Sequence, residues 1–265
     1  MRQPTIFLPH GGGPCFFMEW TWGPRDTWAP LAAWLGEMVA SLPERPRALL
    51  VVSAHWEAPR PTVTTSSAPP LLFDYSGFPL HTYLLSWPAP GDPALAARVR
   101  SLLAAAGIPS EEDPRRGYDH GVFVPLKVAL PEAEIPTVQL SLVRGLDPGL
   151  HLAMGHALAP LRDEGVLIIG SGMSYHAMDA FFTARATQDS ARFDEWLDAT
   201  VAEVGPARDA ALAQWAQAPA GRASHPREEH LLPLMVAAGA GGGEPGRVVH
   251  RSEVMGARIS AVRFG

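Results

Sequence analysis

The sequence predicts an α/β fold in which helices flank a single mixed β-sheet. Three observations lead there. Apolar runs rich in β-branched residues recur along the chain, segments of helical spacing lie between them, and 265 residues suffice for one large core. No repeat or break in composition divides the chain, so residues 1–265 read as a single domain.

The strand-like runs are Thr5–Pro9, Ala48–Ala54, Thr62–Thr65, Thr137–Val143, Val166–Gly170, Arg247–His250 and Ile259–Phe264. They are apolar on both faces, as interior strands covered by helices are. Helical spacing marks Pro30–Ser41, then Pro93–Ala106, with Gly107 placed to end it. Further helices are predicted over Pro148–Leu161, Gln188–Val204, Pro206–Gln217 and Glu228–Ala238. Pro233 belongs in a first turn, which moves the start of the last helix a residue or two later. The segment Pro69–Asp92 breaks this rhythm. Dense in aromatics and prolines, it reads as a long ordered excursion, either the wall or lid of a site or a cap on the core.

A net charge of -6 with scattered arginines argues against a nucleic-acid partner. No window approaches the roughly 20 apolar residues of a membrane helix, and the first residues lack a signal segment. The single cysteine, Cys15, excludes an internal disulfide and a multi-cysteine metal site. A cytoplasmic protein is expected. Flanked by Phe16 and Phe17, Cys15 reads as a buried, inert thiol.

The histidines are placed non-randomly. Apolar runs lead into His10, into His55, and through Ser171–Tyr175 into His176. Ligand sites of open α/β sheets lie beyond the carboxyl ends of the strands, so these imidazoles are delivered to one edge. His120 belongs to the turn Tyr118–Gly121; His225 and His230 bracket a turn, with only His230 expected on the following helix. His81 could line a pocket, while His151 and His156 suit surface or packing roles. Six histidines in such contexts predict a metal site. Three imidazoles on one face of a cation leave open positions, which suits oxygen activation. No H-E-x-x-H helix, G-x-S-x-G elbow, P-loop or G-x-G-x-x-G fingerprint is present.

The ordered set Leu8-Pro9-His10-Gly11, Ser53-Ala54-His55-Trp56-Glu57, Asp119-His120-Gly121, Gly170-Ser171-Gly172 leading to His176, and His225-Pro226 leading to Glu229-His230 resembles the class III extradiol ring-cleavage dioxygenases, and more narrowly their DOPA 4,5-dioxygenase-like branch. Phe73-Asp74-Tyr75 and Gly77-Phe78-Pro79 match that branch's loop. The resemblance implies the catalytic-subunit fold of that family and metal ligation by His10, His55 and His230. It makes His176 the acid/base residue, and a fourth ligand in some metal-filled members. It sets His120 against substrate or O₂, and His225, Trp56 and Tyr75 in or behind the pocket. The implied cofactor is Fe(II), with Zn(II) able to occupy the same ligands, and the implied partners are an aromatic diol and O₂. A homo-oligomer is compatible with the sequence. Two departures, Trp87 in place of Tyr and the bulky Met173-Ser174-Tyr175, are expected to reshape the pocket. The alternatives are a zinc hydrolase on the same scaffold and a metal-binding protein without dioxygenase activity.

Overall fold

Alternate residues of the central apolar runs bury against opposite faces of one sheet. Ile6 and Leu8, Leu49 and Val51, and Leu167 and Ile169 enter one core cluster. Phe7, Leu50, Val52, Val166 and Ile168 enter the other. That period-two partition makes the strands apolar throughout. The computed structural model describes residues 1–265. Its strands are β1 (Thr5–Pro9), β2 (Ala48–Ala58), β3 (Thr62–Thr64), β4 (Glu111–Asp113), β5 (Thr137–Val143), β6 (Val166–Gly172), β7 (Gly246–Val254) and β8 (Ala257–Phe264). They form a single eight-stranded mixed sheet of order β4-β3-β5-β2-β6-β1-β8-β7. The centre, β5-β2-β6-β1, is parallel, and β8 and β7 continue it antiparallel.

The helices are α1 (Ala29–Met38), α2 (Pro93–Ala105), α3 (His120–Ala129), α4 (Pro148–Leu158), α5 (Pro160–Asp163), α6 (Ala184–Ala202), α7 (Gly205–Ala213), α8 (Gly221–Ser224) and α9 (Leu232–Gly241). Residues of α2, α4, α6 and α9 join the cluster on one face of the sheet, and those of α1 and α3 join the other. The expected α/β fold is thus present, and no helix is long and apolar enough to cross a membrane.

Several boundaries differ from the sequence reading. The helix predicted over Pro148–Leu161 breaks into α4 and α5, because Pro160 has no N–H to offer the carbonyl one turn back. The helix predicted from Gln188 starts at Ala184, where the Thr183 side chain caps it by accepting from the Ala186 N–H. The helix predicted from Pro206 is regular only to Ala213. The last helix starts at Leu232 with Pro233 in its first turn, so His230 lies in the preceding turn and not on the helix. β2 runs on to Ala58, which puts His55 within the strand. Between Val52 and Glu57, five residues of β2 advance against two of β5, and His55 rides on this bulge. Bulges re-aim side chains beside sites in this way.

Helix α3 was hidden by Pro125 in its interior. The proline leaves the Gly121 carbonyl without its intrahelical donor. The Ser171 hydroxyl, at the carboxyl end of β6, donates to that carbonyl instead. The substitution Ser171→Ala should therefore strand a buried carbonyl and destabilise the fold by about 1–3 kcal/mol. Urea unfolding with an unchanged m-value checks this; a shift under a few tenths of a kcal/mol would contradict the compensation.

Candidate metal centre

The carboxyl edge of the parallel strands collects the expected histidines. His10 follows β1, its backbone N–H donating to the Gly172 carbonyl of β6 at 3.0 Å. His55 is carried by the β2 bulge. His230 is brought in by an unusually close approach. Met173 N–H donates to the His230 carbonyl at 2.9 Å, and a Cβ on Gly172 would stand 2.1 Å from that carbonyl oxygen. Only glycine lets β6 accept the turn that bears His230.

The ligand atoms of His10, His55 and His230 lie within 4.8 Å of one another. The ring centroids are 4.8 Å apart for His10–His55, 5.2 Å for His10–His230 and 4.9 Å for His55–His230. His10 Nδ1–H donates to the Gly11 carbonyl at 2.8 Å, which leaves Nε2 as a lone pair. It sits 3.2 Å from His55 Nε2. His230 Nδ1–H donates to Glu229 Oε1 at 2.9 Å, and its buried Nε2 has no partner. Orienting acceptors behind ligating imidazoles are what metal sites require. An orphaned buried nitrogen beside two converging Nε2 atoms fits a divalent cation and fits no internal hydrogen bond.

Electrostatics keep the rings neutral. Burial, then the neighbouring histidines, hold His10 and His230 well below the ordinary histidine range. Burial and His120 push His55 down to about 3 against the pull of Asp74. Neutral imidazole is the form that binds metal.

His176 and His120 flank the triad. His176 stacks on His230 at 3.3 Å between centroids and 17° between planes. Its Nδ1 lies 3.7 Å from Glu229 Oε1. Burial and His120 lower its pKa to about 4. His120 is 3.9 Å from His55 between centroids. Asp74 Oδ1 accepts from both its Nδ1 (2.8 Å) and its backbone N–H (2.9 Å). Burial alone would raise Asp74, but its hydrogen bonds to His120 and that ring's charge outweigh it and hold the carboxyl below its ordinary range. Behind them, buried Asp119 accepts from Ser53 (2.7 Å), Arg116 (3.1 Å) and Gln139, tying β2, β5 and the start of α3 together.

The histidines open onto a cavity of about 490 Å³. The excursion supplies one wall with Asp74, Tyr75, Ser76 and Phe78. Tyr75 therefore lines the pocket, its hydroxyl donating to the Thr82 carbonyl at 2.6 Å. Trp56 does not line it: the ring packs under Arg116 at 4.6 Å, behind His55. His225 is also outside, fully buried between Phe193 and Trp215. It bonds the Ser174 carbonyl at 3.0 Å, while His176 N–H bonds Ser224 O, so it braces the loop that carries His176. His81 bonds Phe17 O rather than entering the cavity. Trp87 is buried against Tyr118, with its indole N–H on Leu130 O, and does not line the cavity. Met173 does line it, whereas Tyr175 does not. Cys15 is buried and its thiol pKa is pushed up by desolvation, as an inert thiol requires.

Asp74 and Glu229 were not assigned roles from sequence, nor was the Trp20–Trp28 segment that forms the other wall. The dense aromatics after the glycine turn at 11–13 were the one available signal for that segment.

Lowered histidine pKa values are stability statements. A group whose folded pKa lies below its unfolded value of about 6.5 stabilises fully above that pH, and the stability is lost as pH falls toward the folded pKa. For His55, His176 and His225, held near 3, 4 and 3, the window runs from about 6.5 down to those values. Each costs up to about 1.4 kcal/mol per pH unit there. Metal-free protein should therefore lose denaturant resistance steadily from pH 7 to pH 5, and bound Zn(II) should restore part of it. A flat profile would contradict buried neutral histidines.

Residues 4–263 match the family model described as the catalytic LigB subunit of aromatic ring-opening dioxygenase. The chain belongs to that family, whose members are oxidoreductases. Among its relatives is the 4,5-DOPA dioxygenase extradiol of Portulaca grandiflora, 41% identical over 91% of this chain and 87% of the relative. The Escherichia coli K12 protein of the same name is 36% identical over 92% and 87%. Dioxygenase tasH of Hapsidospora irregularis is 36% identical over 99% and 85%. The crystal structure of the uncharacterized protein JW3007 of Escherichia coli K12 superposes with a TM-score of 0.78 at 32% identity, covering both chains fully.

Proposed function

We propose that this chain is an extradiol dioxygenase that opens the ring of a catechol-type substrate at an Fe(II) ion held by His10, His55 and His230. The observation that carries the reading is the orphaned His230 Nε2 converging with His10 and His55 at the floor of an aromatic cavity. Relatives named for DOPA, itself a catechol, support the diol ring as the part of the substrate that is opened, and leave its substituent open. Zn(II) suits the same three nitrogens, so the metal found after purification need not be the one used.

Bound Fe(II) would supply open coordination positions and an electron path from the diol to O₂. The chain supplies the rest. The aromatic walls hold the ring and exclude water. His176, neutral at physiological pH, takes a proton from a substrate hydroxyl, and Glu229 stands 3.7 Å from its Nδ1 to balance the imidazolium. The same proton returns to oxygen when the ring opens. His120, oriented by Asp74, contacts the oxygen on which negative charge grows. Both atoms of O₂ end in the ring-opened product, and the ring carbon–carbon bond beside the diol breaks.

Anaerobic Fe(II) reconstitution followed by O₂ uptake on a catechol panel tests the reading. One O₂ consumed per ring opened, with the yellow absorbance of a semialdehyde, is expected. Ester hydrolysis by the Zn(II) form without O₂ consumption would replace it with the hydrolase reading.

A further inference from the structure

The substituent on the catechol ring can be read from the cavity walls. Trp20, Trp22, Trp28, Phe78, Phe181 and Phe182 line it with aromatic rings, and Met178 and Met255 add thioethers. Roughly 150 Å³ is enough for a benzene ring, so a cavity of about 490 Å³ leaves space for a substantial substituent beyond the diol.

No lysine or arginine lines this space, and its single carboxylate is Asp74. The nearby guanidiniums are committed elsewhere. Arg116 binds Asp119 and the His55 carbonyl. Arg227 is held by Glu57 and Glu229 in a separate polar cleft behind His55 and His230. The chain's only lysine, Lys127, donates to the Ser86 carbonyl. A carboxylate on the substituent, held away from the metal by the diol that binds it, would lose its hydration with no lysine or arginine to meet it.

The mouth is apolar as well. Trp22, Met178 and Phe182 are 55%, 62% and 58% exposed, and all three line the cavity. Large apolar side chains gathered at the rim of a pocket mark a surface meant to be covered. Methionine adapts its shape to varied apolar ligands.

We propose that the substrate is a catechol bearing an uncharged, apolar substituent, alkyl or aryl, and that carboxylated catechols are disfavoured. The inference rests on the ring-cleavage reading above and names the substrate class of that same site.

The test uses the full-length protein with two readouts. Anaerobic quenching of tryptophan fluorescence in the Zn(II)-loaded protein measures binding of 4-tert-butylcatechol, 4-phenylcatechol, 3,4-dihydroxybenzoate and DOPA. O₂ uptake by the Fe(II)-loaded protein gives kcat/KM for the same four. The apolar catechols should exceed 3,4-dihydroxybenzoate and DOPA by roughly 100-fold in both readouts. Met178→Arg, at an exposed rim position, should move that ratio at least about tenfold toward the carboxylated compounds. Equal or tighter binding of the carboxylated compounds, an absence of binding by the apolar ones, or an unmoved ratio in Met178→Arg overturns the proposal. Tight binding of the apolar catechols without O₂ consumption would leave the cavity assignment standing and remove the ring-cleavage reading. Ring opening that favours the carboxylated compounds would do the reverse.

Discussion

His230→Ala protein is expected to come off the column without its metal. The imidazole it removes is buried, aimed by Glu229, and unpaired at Nε2. Removing a group that merely orients a ligand costs 10–100-fold in metal affinity, so removing the ligand itself should cost more than about 100-fold. Competition titration with a chromophoric chelator measures the loss, and elemental analysis of the purified protein measures the stoichiometry. Near-UV circular dichroism establishes whether the cavity keeps its packing. Glu229→Ala should fall between wild type and His230→Ala, within that 10–100-fold range. Wild-type affinity in the folded His230→Ala protein would remove residue 230 from the ligand set. With it would go the argument from convergence.

His176→Gln gives the opposite pattern. Metal content should stay at one per chain, because the three converging nitrogens are untouched, while kcat falls about 10²–10⁴-fold, the usual contribution of a positioned proton-transfer group. KM for the diol should change little, since the wall residues that hold the ring remain. Turnover at the wild-type rate would end the acid/base assignment. Loss of metal along with turnover would instead make His176 a fourth ligand, in keeping with its 3.3 Å stacking on His230.

What could be read from sequence was what local pattern encodes. His10, His55 and His176 follow apolar runs, and an apolar run in an α/β chain fixes both a buried strand and the edge at which it ends. The locations of β1 and β5 followed from the same signal. The features that escaped are long-range. Pro125 argues against a helix on any local rule, and α3 exists because a hydroxyl 50 residues further along satisfies the carbonyl that the proline leaves bare. Asp74 looks like an ordinary loop acid until the fold sets it against His120. His230 reads as a helix residue, but Pro233 fixes the first turn later and leaves the imidazole free to face the sheet. Trp20, Trp22 and Trp28 carry no periodicity and acquire a role only as the wall opposite the excursion.

The three ligand positions proposed above, 10, 55 and 230, would have a mechanical consequence. One cation captured there would lace residue 10 to residue 230, closing a loop that encloses most of the chain. Because such a clasp closes only in the folded chain, its grip on the native form would grow with the logarithm of free metal concentration. Supply of the ion would thereby set how long the polypeptide survives proteases, as well as whether it turns over its substrate.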